Sequence, residues 1–353
     1  MKKRIDKARN YLKGLDAILI SSRETVTYLS GYAGSDAELL FTESAAILFV
    51  DSRNTIQARQ ESCTEVFEVS RKWSDIRGYM KSLNIKTLGI ESNIIDLDTF
   101  LQLKDIFEGV EMTPIGKQLR YIRAVKDASE IEAMKEAARI SEDALETVIS
   151  RGMIGRREID VAFDMEYAMR RLGASAVSFD IIVASGPRSA MPHGIASDRI
   201  IGADEPVLID FGCRYHDYCS DQTVTMFTGE PDNEFRQVYS HVFEAQNNAI
   251  NALCAGVNAS YIDSLARGHL ESKGVGAFFR HGLGHGVGME IHEMPTISPI
   301  SQDRLKEGMV LTIEPGVYFT DNFGIRLEDT LLVTDNSCQR ITNIDKEALK
   351  IIS

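Results

Sequence analysis

The sequence predicts two domains of different class, an α/β domain followed by an α+β domain, on three observations. The first third of the chain alternates helical and strand-like segments. A long amphipathic helix begins afresh at Asp127. Beyond it, a pair of helical segments followed by a hairpin bearing two acids occurs twice, a duplication of architecture rather than of residue identity. With 353 residues the chain is long enough for two cores.

Residues 2–13 open with a charged, amphipathic helical pattern, and residues 17–21 (AILIS) form an apolar run of strand length. A strand or hairpin around 38–50 follows, then a helix, a strand over 87–90 (TLGI) and a helix within 98–107. These elements make the first domain, residues 1–122. The segment 119–126 (LRYIRAVK) hands over to a helix over 127–149, in which Ile131, Met134, Ala138, Leu145 and Ile149 fall near helical spacing. The second domain, residues 123–353, starts there. Helices over 127–149 and about 158–172 precede a strand at 181–184 and the first hairpin; helices over about 234–255 and 260–273 precede a glycine-rich turn and the second. Pseudo-symmetry of this kind brings the two acid pairs to one central site.

Composition narrows the function. Lys and Arg total 39 against 52 Asp and Glu, and the net charge of −13 argues against a nucleic-acid or anionic-membrane surface and for a small substrate. The start of the chain has no apolar core of signal-peptide length, and no stretch approaches the roughly 18 apolar residues of a membrane helix, so a cytoplasmic protein is expected. Cys63, Cys213, Cys219, Cys254 and Cys338 are scattered without CxxC spacing, which fits reduced thiols.

Five residues carry the chemistry: Asp210, Asp221, His285, Glu314 and Glu328. Residues 206–212 (PVLIDFG) and 217–227 (DYCSDQTVTMF) read as strands, and a turn centred near Tyr215–His216 sets Asp210 across from Asp221. Residues 309–320 and 324–334, joined near Asp321, likewise set Glu314 opposite Glu328. Facing like charges repel, and an ionised carboxylate among apolar neighbours such as Leu208, Ile209, Leu311 and Ile313 needs a cation. Four carboxylates with one imidazole suit divalent Mn, Co, Fe or Zn and exceed what one ion requires, so two bridged ions are inferred. The stretch 281–293 (HGLGHGVGMEIHE) has glycine at 282, 284, 286 and 288, too many for a helix and placed where backbone approaches something closely. Its spacing matches neither the dinucleotide nor the Walker phosphate loop. His285, between two glycines, is the least obstructed ligand, flanked by His281 and His292; His193 lies on a loop after a strand.

The order VLIDFG, SDQTVT, HGLGHGVGMEIHE, IEPGVY and IRLEDT resembles the pita-bread metallopeptidases, in their prolidase and aminopeptidase P branch. The likeness spans about residues 119–344, and TYLSGYAGSDAELL with LFVDSRNTIQARQ is similar to the creatinase-type domain that precedes it in that family. The resemblance implies a creatinase-like N-terminal domain, a pita-bread catalytic domain, and Asp210, Asp221, His285, Glu314 and Glu328 as ligands of two divalent ions, Mn or Co ahead of Zn or Fe. It further implies hydrolysis of the bond before proline in short peptides with a free N-terminus, and a homodimer.

On the family pattern Glu314 shuttles the proton of the attacking water. His193 and His292 sit where charge develops, with His281 nearby as a further donor. Arg326 shares the strand parity of Glu328 and becomes a candidate anchor for a substrate carboxylate or carbonyl. Two departures bear on specificity. Val224 stands where many relatives carry arginine, and Thr296 stands where some prolidases grip the proline carboxylate with arginine. The segment around His193 sides with the prolidases, and Arg188 is the candidate replacement grip. The resulting expectation is an Xaa-Pro dipeptidase, with an Xaa-Pro aminopeptidase for longer peptides as the nearest alternative. A non-catalytic binding module is disfavoured because all five ligand positions are kept.

Overall fold

The computed structural model describes residues 2–352 and divides into two compact units between Arg123 and Ala124. The first unit is a mixed six-stranded sheet. Its strands are β1 (Ala17–Ile20), β2 (Ala37–Thr42), β3 (Ala46–Asp51), β4 (Glu65–Val69), β5 (Thr87–Ile90) and β6 (Glu111–Pro114), in the order β4-β3-β2-β1-β5-β6. The β2–β3 hairpin is antiparallel, whereas β1–β5, β5–β6 and β3–β4 are parallel, the pattern that helical crossovers produce. Alternate residues such as Ala17, Leu19, Leu40, Ile47 and Phe49 pack on Ile76, Met80, Leu103 and Phe107 of the helices.

The segment Arg23–Ser30, rich in Thr, Val and Tyr, lacks a helical signature, yet it is a helix with six of its residues buried, ended by Gly31 at φ 85°. Tertiary contacts override its local preference. Buried Glu91 takes the backbone N–H groups of Ser21 and Ser22 at 3.0 and 2.8 Å and thereby holds the helix entrance.

The second unit repeats one plan twice. Helices Ala128–Ile149 and Glu158–Arg171 pack on each other beside the strands Ile182–Ser185, Glu205–Phe211 and Gln222–Thr228. Helices Asn233–Asn251 and Ala259–Ser272 pair in the same way beside a five-stranded sheet containing Glu293–Ile297, Gly284–Gly286, Val310–Ile313, Asp329–Val333 and Cys338–Arg340 in that order. This is the pita-bread arrangement. Val207, Ile209, Phe211, Val224 and Met226 line the core beneath the first helix pair, so Val224 faces away from the acids.

The first of these helices is fastened at its N-terminus by a capping box: Asp127 accepts from the N–H groups of Ser129 and Glu130 at 3.0 and 3.1 Å, and Glu130 returns a bond to the N–H of Asp127 at 2.8 Å. Glu130 also accepts the hydroxyl of Tyr218 at 3.0 Å, which ties the helix start to the acidic hairpin. Asp127→Ala should therefore destabilise the second unit by about 1 kcal/mol. A lowered urea midpoint, followed by a probe in that unit, checks this; an unchanged midpoint would refute the role given to the box.

Candidate metal centre

The first acidic hairpin turns at His216 and Asp217, one residue later than the sequence suggests. Both residues have positive φ, 48° and 66°, the pattern of a two-residue turn whose twist matches its strands. This shift sets Thr223, not Asp221, across from Asp210. Asp221 lies two residues nearer the turn, just ahead of its strand and on the same side as Thr223, so the acids meet diagonally. In the second hairpin Ile313 pairs with Asp329 and Gly316 with Arg326, one register on either side of a break. Glu314 and Glu328 face each other in that break, as the sequence predicts.

Threonines stitch the two hairpins together. Thr223 donates to Glu328 Oε2 at 2.7 Å and its carbonyl accepts the Glu328 N–H at 3.1 Å. The Thr330 hydroxyl donates to the Asp221 carbonyl at 2.7 Å, and the Thr225 hydroxyl bridges the backbone of Arg326. None of these threonines is singled out by sequence reasoning. Their spacing in the segment 221–225 (DQTVT), alternating with Gln222 and Val224, is the signal that one face of this strand is polar though buried.

His285 reaches the acids from the strand Gly284–Gly286, which lies between Glu293–Ile297 and the central strand Val310–Ile313. Its Nε2 is 3.3 Å from Glu314 Oε1 and 3.6 Å from Asp221 Oδ2. Nδ1 lies 3.1 Å from the carbonyl of Gly286, which only accepts, so Nδ1 carries the proton and Nε2 is left for the acids or a cation. Its flanking glycines are required by packing: a Cβ on Gly284 would sit 2.0 Å from the Thr312 carbonyl oxygen, and one on Gly286 2.3 Å from that of Met294. What approaches closely here is neighbouring strands.

Burial, reinforced by neighbouring acids (Glu328, Asp210 and Glu314 for Asp221; Glu314 and Asp210 for Glu328), pushes Asp221 and Glu328 well above the usual carboxylate range. Burial also raises Asp210 against the pull of Arg326. Glu314 differs: burial works against its charge, but the hydrogen bond and charge of His285 hold it below its ordinary value. Asp210 Oδ1 is buried without a hydrogen-bond partner. Asp221, His285 and Glu328 present ligand atoms all within 4.8 Å of one another. An orphaned carboxylate oxygen and acids driven toward neutrality by one another are what divalent cations relieve, so the donor set fits such ions.

Arg326 is almost wholly buried, and four of its five N–H groups are taken by protein partners. Nη2 donates to Asp210 Oδ2 at 2.7 Å, Nη1 to the Tyr318 hydroxyl at 2.9 Å and to the Pro192 carbonyl at 3.1 Å, and Nε to Thr223 at 3.0 Å. It therefore holds Asp210 and the loop bearing His193 instead of offering a guanidinium to substrate. Tyr318, which the sequence does not flag, carries the chain onward, its oxygen lying 3.2 Å from His281 Nε2. His281 Nδ1 is 2.7 Å from the Gly282 carbonyl, and burial holds the ring below its ordinary pKa. Both nitrogens are occupied, so His281 braces Tyr318 rather than serving as the free donor that the sequence suggests.

His292 stacks edge-on at His285 with ring centroids 4.4 Å apart, and partial burial with His285 beside it lowers its pKa. His193 is exposed and close enough to His292 to act on it electrostatically. Arg188 does not join them. Its Nε donates to buried Glu158 at 3.0 Å and its Nη2 to the Ile195 carbonyl at 2.6 Å, so it props the loop and is not a carboxylate grip. Thr296 is exposed on the strand beside His285, paired with it across the ladder.

Residues 132–335 match the model of metallopeptidase family M24, and residues 4–125 that of the creatinase/prolidase N-terminal domain. An Xaa-Pro dipeptidase of Pyrococcus furiosus is 38% identical over 354 residues, covering 99% of this chain and 100% of its own length. Among solved structures, an Xaa-Pro dipeptidase from Bacillus anthracis superposes with a TM-score of 0.96 at 35% identity, covering 99% of each chain. An X-Pro aminopeptidase from Thermotoga maritima superposes at 0.91 with 38% identity, covering 98% of this chain and 100% of its own. With its paired acids, its duplicated fold and these likenesses, the chain belongs to metallopeptidase family M24.

Proposed function

We propose that this protein is a dinuclear-metal-dependent Xaa-Pro dipeptidase acting on short proline-containing peptides. The observation that carries the reading is the convergence of four buried or half-buried carboxylates on one imidazole with too few cations to neutralise them. Asp210, Asp221, His285, Glu314 and Glu328 would hold two divalent ions, manganese or cobalt by preference, zinc or iron otherwise. Such ions lower the pKa of an attacking water and polarise the scissile carbonyl.

The remaining steps belong to the protein. Glu314, as a carboxylate, would accept the proton of the water and pass it to the departing proline nitrogen. His292 and His193 donate to the oxygen that gains charge at the tetrahedral carbon. Arg326 and Thr223 keep Asp210 and Glu328 aimed inward, and His281 with Tyr318 forms the adjoining wall. The setting we propose is a cytoplasmic homodimer with a creatinase-like domain over residues 1–122 and a catalytic domain over 123–353; its cysteines form no disulfide, and no helix among the described residues is long and apolar enough to cross a membrane.

A second reading, an Xaa-Pro aminopeptidase, is favoured by one observation: Arg188 and Arg326 are both committed to protein partners, and Thr296 has no charge with which to seize a proline carboxylate. Hydrolysis of Ala-Pro and Ala-Pro-Ala, assayed side by side on chelator-treated protein resupplied with manganese or cobalt, decides between them. Metal-dependent cleavage of the dipeptide alone is expected; preference for the tripeptide would transfer the protein to the second reading, and cleavage of neither would defeat both.

Asp221→Asn should reduce kcat by several orders of magnitude while the fold persists, because it removes a buried ligand and not a packing group. Metal analysis should show the loss of at least one bound ion; undiminished metal content would overturn the ligand assignment.

Without metal, the raised pKa values of Asp221 and Glu328 mean that these two acids oppose folding once charged. Their contribution is fully present below the ordinary values of 3.8 and 4.5 and is lost as pH rises through the elevated folded values. A dication reverses the sign by favouring the charged forms. The melting temperature of metal-loaded protein should therefore exceed that of stripped protein by a margin that widens with pH. In Asp221→Asn/Glu328→Gln that widening should vanish, as differential scanning calorimetry across pH would record.

A further inference from the structure

A second cluster of metal-binding side chains lies on the two helices of the second half-repeat, apart from the acid-rich centre. His241 and Glu244, three residues apart on Asn233–Asn251, share one face of that helix, and His269 comes from Ala259–Ser272, which packs on it. His269 Nε2 is 3.1 Å from Glu244 Oε2, the two imidazole centroids are 6.5 Å apart, and the ligand atoms of all three residues lie within 4.8 Å of one another.

The surrounding contacts orient these groups inward. Asn248 Nδ2 lies 3.2 Å from His269 Nδ1, so Nδ1 accepts and the proton sits on Nε2, toward Glu244; a cation at Nε2 displaces that proton, and the Asn248 amide turns its oxygen to the ring to accept from Nδ1. Ser240 donates to Glu244 Oε1 at 3.1 Å, which leaves Oε2 facing the histidines. His241 Nδ1 is buried with no hydrogen-bond partner. Burial and the nearby Lys273 keep His241 below its ordinary pKa, so its imidazole is neutral and has a lone pair to give. A plain ion pair of Glu244 with Lys273, 3.6 Å away, accounts for the carboxylate but leaves the buried His241 nitrogen unsatisfied. A shared cation satisfies all three.

We propose that His241, Glu244 and His269 bind one divalent transition-metal ion, with zinc the best match, and that this ion staples the two helices. Two imidazoles and one carboxylate leave a fourth tetrahedral position for water, which the exposure of the Glu244 side chain (45%) permits. Ligand bonds of about 2.0–2.2 Å place tetrahedral neighbours roughly 3.3 Å apart, so the His269–Glu244 pair already has the spacing and the third ligand closes by side-chain rotation, with Lys273 swinging out to solvent.

The staple lies behind the acid-rich centre. Gln246, on the first helix, donates to the Ile313 carbonyl and to Asp329, each at 3.1 Å, beside Glu314 and Glu328. Asp263, on the second, accepts the Leu283 N–H at 3.1 Å, and Arg267 reaches the His281 carbonyl at 2.9 Å. Fixing the helices to each other stiffens the seat of both strands. The ion's role is structural and does not depend on the peptidase reading.

Zinc is titrated into metal-stripped, full-length protein carrying Asp221→Asn and Glu328→Gln, in which the acid-rich centre is disabled, and binding is read by calorimetry and by metal analysis. One zinc equivalent is expected, weakened more than about tenfold when His269→Gln or His241→Gln is added. Zinc should raise the melting temperature of the parent background but not of the histidine variants. A folded background that takes up no zinc, or histidine variants that bind it equally well, would overturn the proposal. If the double background fails to fold, the comparison is made between wild type and His269→Gln, where a difference of one equivalent supports the site and equal content sinks it. Equal zinc content in wild type and the double background would instead count against the acid-rich centre, so the two ideas fail separately.

Discussion

Mutual repulsion among buried carboxylates is the constraint around which the second unit is organised. Asp210, Asp221, Glu314 and Glu328 arrive from four strand ends, and burial makes their charges costly to hold together. A fold that keeps them adjacent must supply counter-charge, rigid backing and a use for the stored tension. Arg326 and His285 supply part of the counter-charge, and divalent ions match the remainder.

The backing is distributed in layers. Arg326 fastens Asp210, while the threonines of one hairpin fasten the other, so neither acid pair can relax away from its neighbours without breaking several buried hydrogen bonds. One step further out, Asp329 next to Glu328 is itself buried and accepts from Gln246, Thr342, Lys346 and Arg340. The His292 loop is anchored similarly by a fully buried pair, Lys126 with Glu293, at 3.1 Å. Breaking such a pair strands a charge in the interior, which makes each anchor stiff as well as stabilising.

Much of this was legible in the chain. The alternation of helix and strand signals, the long helix from Asp127 and the doubled order of helix pair then acidic hairpin follow from hydrophobic period and turn chemistry. The opposition of Glu314 and Glu328 followed from one turn residue, Asp321, which adopts a positive φ of 59°. The first hairpin turns one residue later than its sequence suggests because His216 and Asp217 both adopt the left-handed region, a choice that propensities do not dictate. The helix Arg23–Ser30 was illegible because burial against the sheet, not local preference, forms it.

Roles that depend on who else is nearby were beyond the sequence. Strand parity places Arg326 on the face of the acids, but its pairing with Asp210 and Tyr318 is decided by residues more than a hundred positions away or across a hairpin. Arg188 is a candidate grip on the family resemblance and a loop prop once Glu158 is seen beneath it. What the sequence by itself determined is the inventory: four acids and one histidine as candidate ligands, their order, and the apolar strands that bury them. What only the tertiary structure decided is the allocation of each charge, since a buried ion's partner is chosen by distances across the fold, and the interaction energy, falling as 1/r in a poor dielectric, sets which group is free to act.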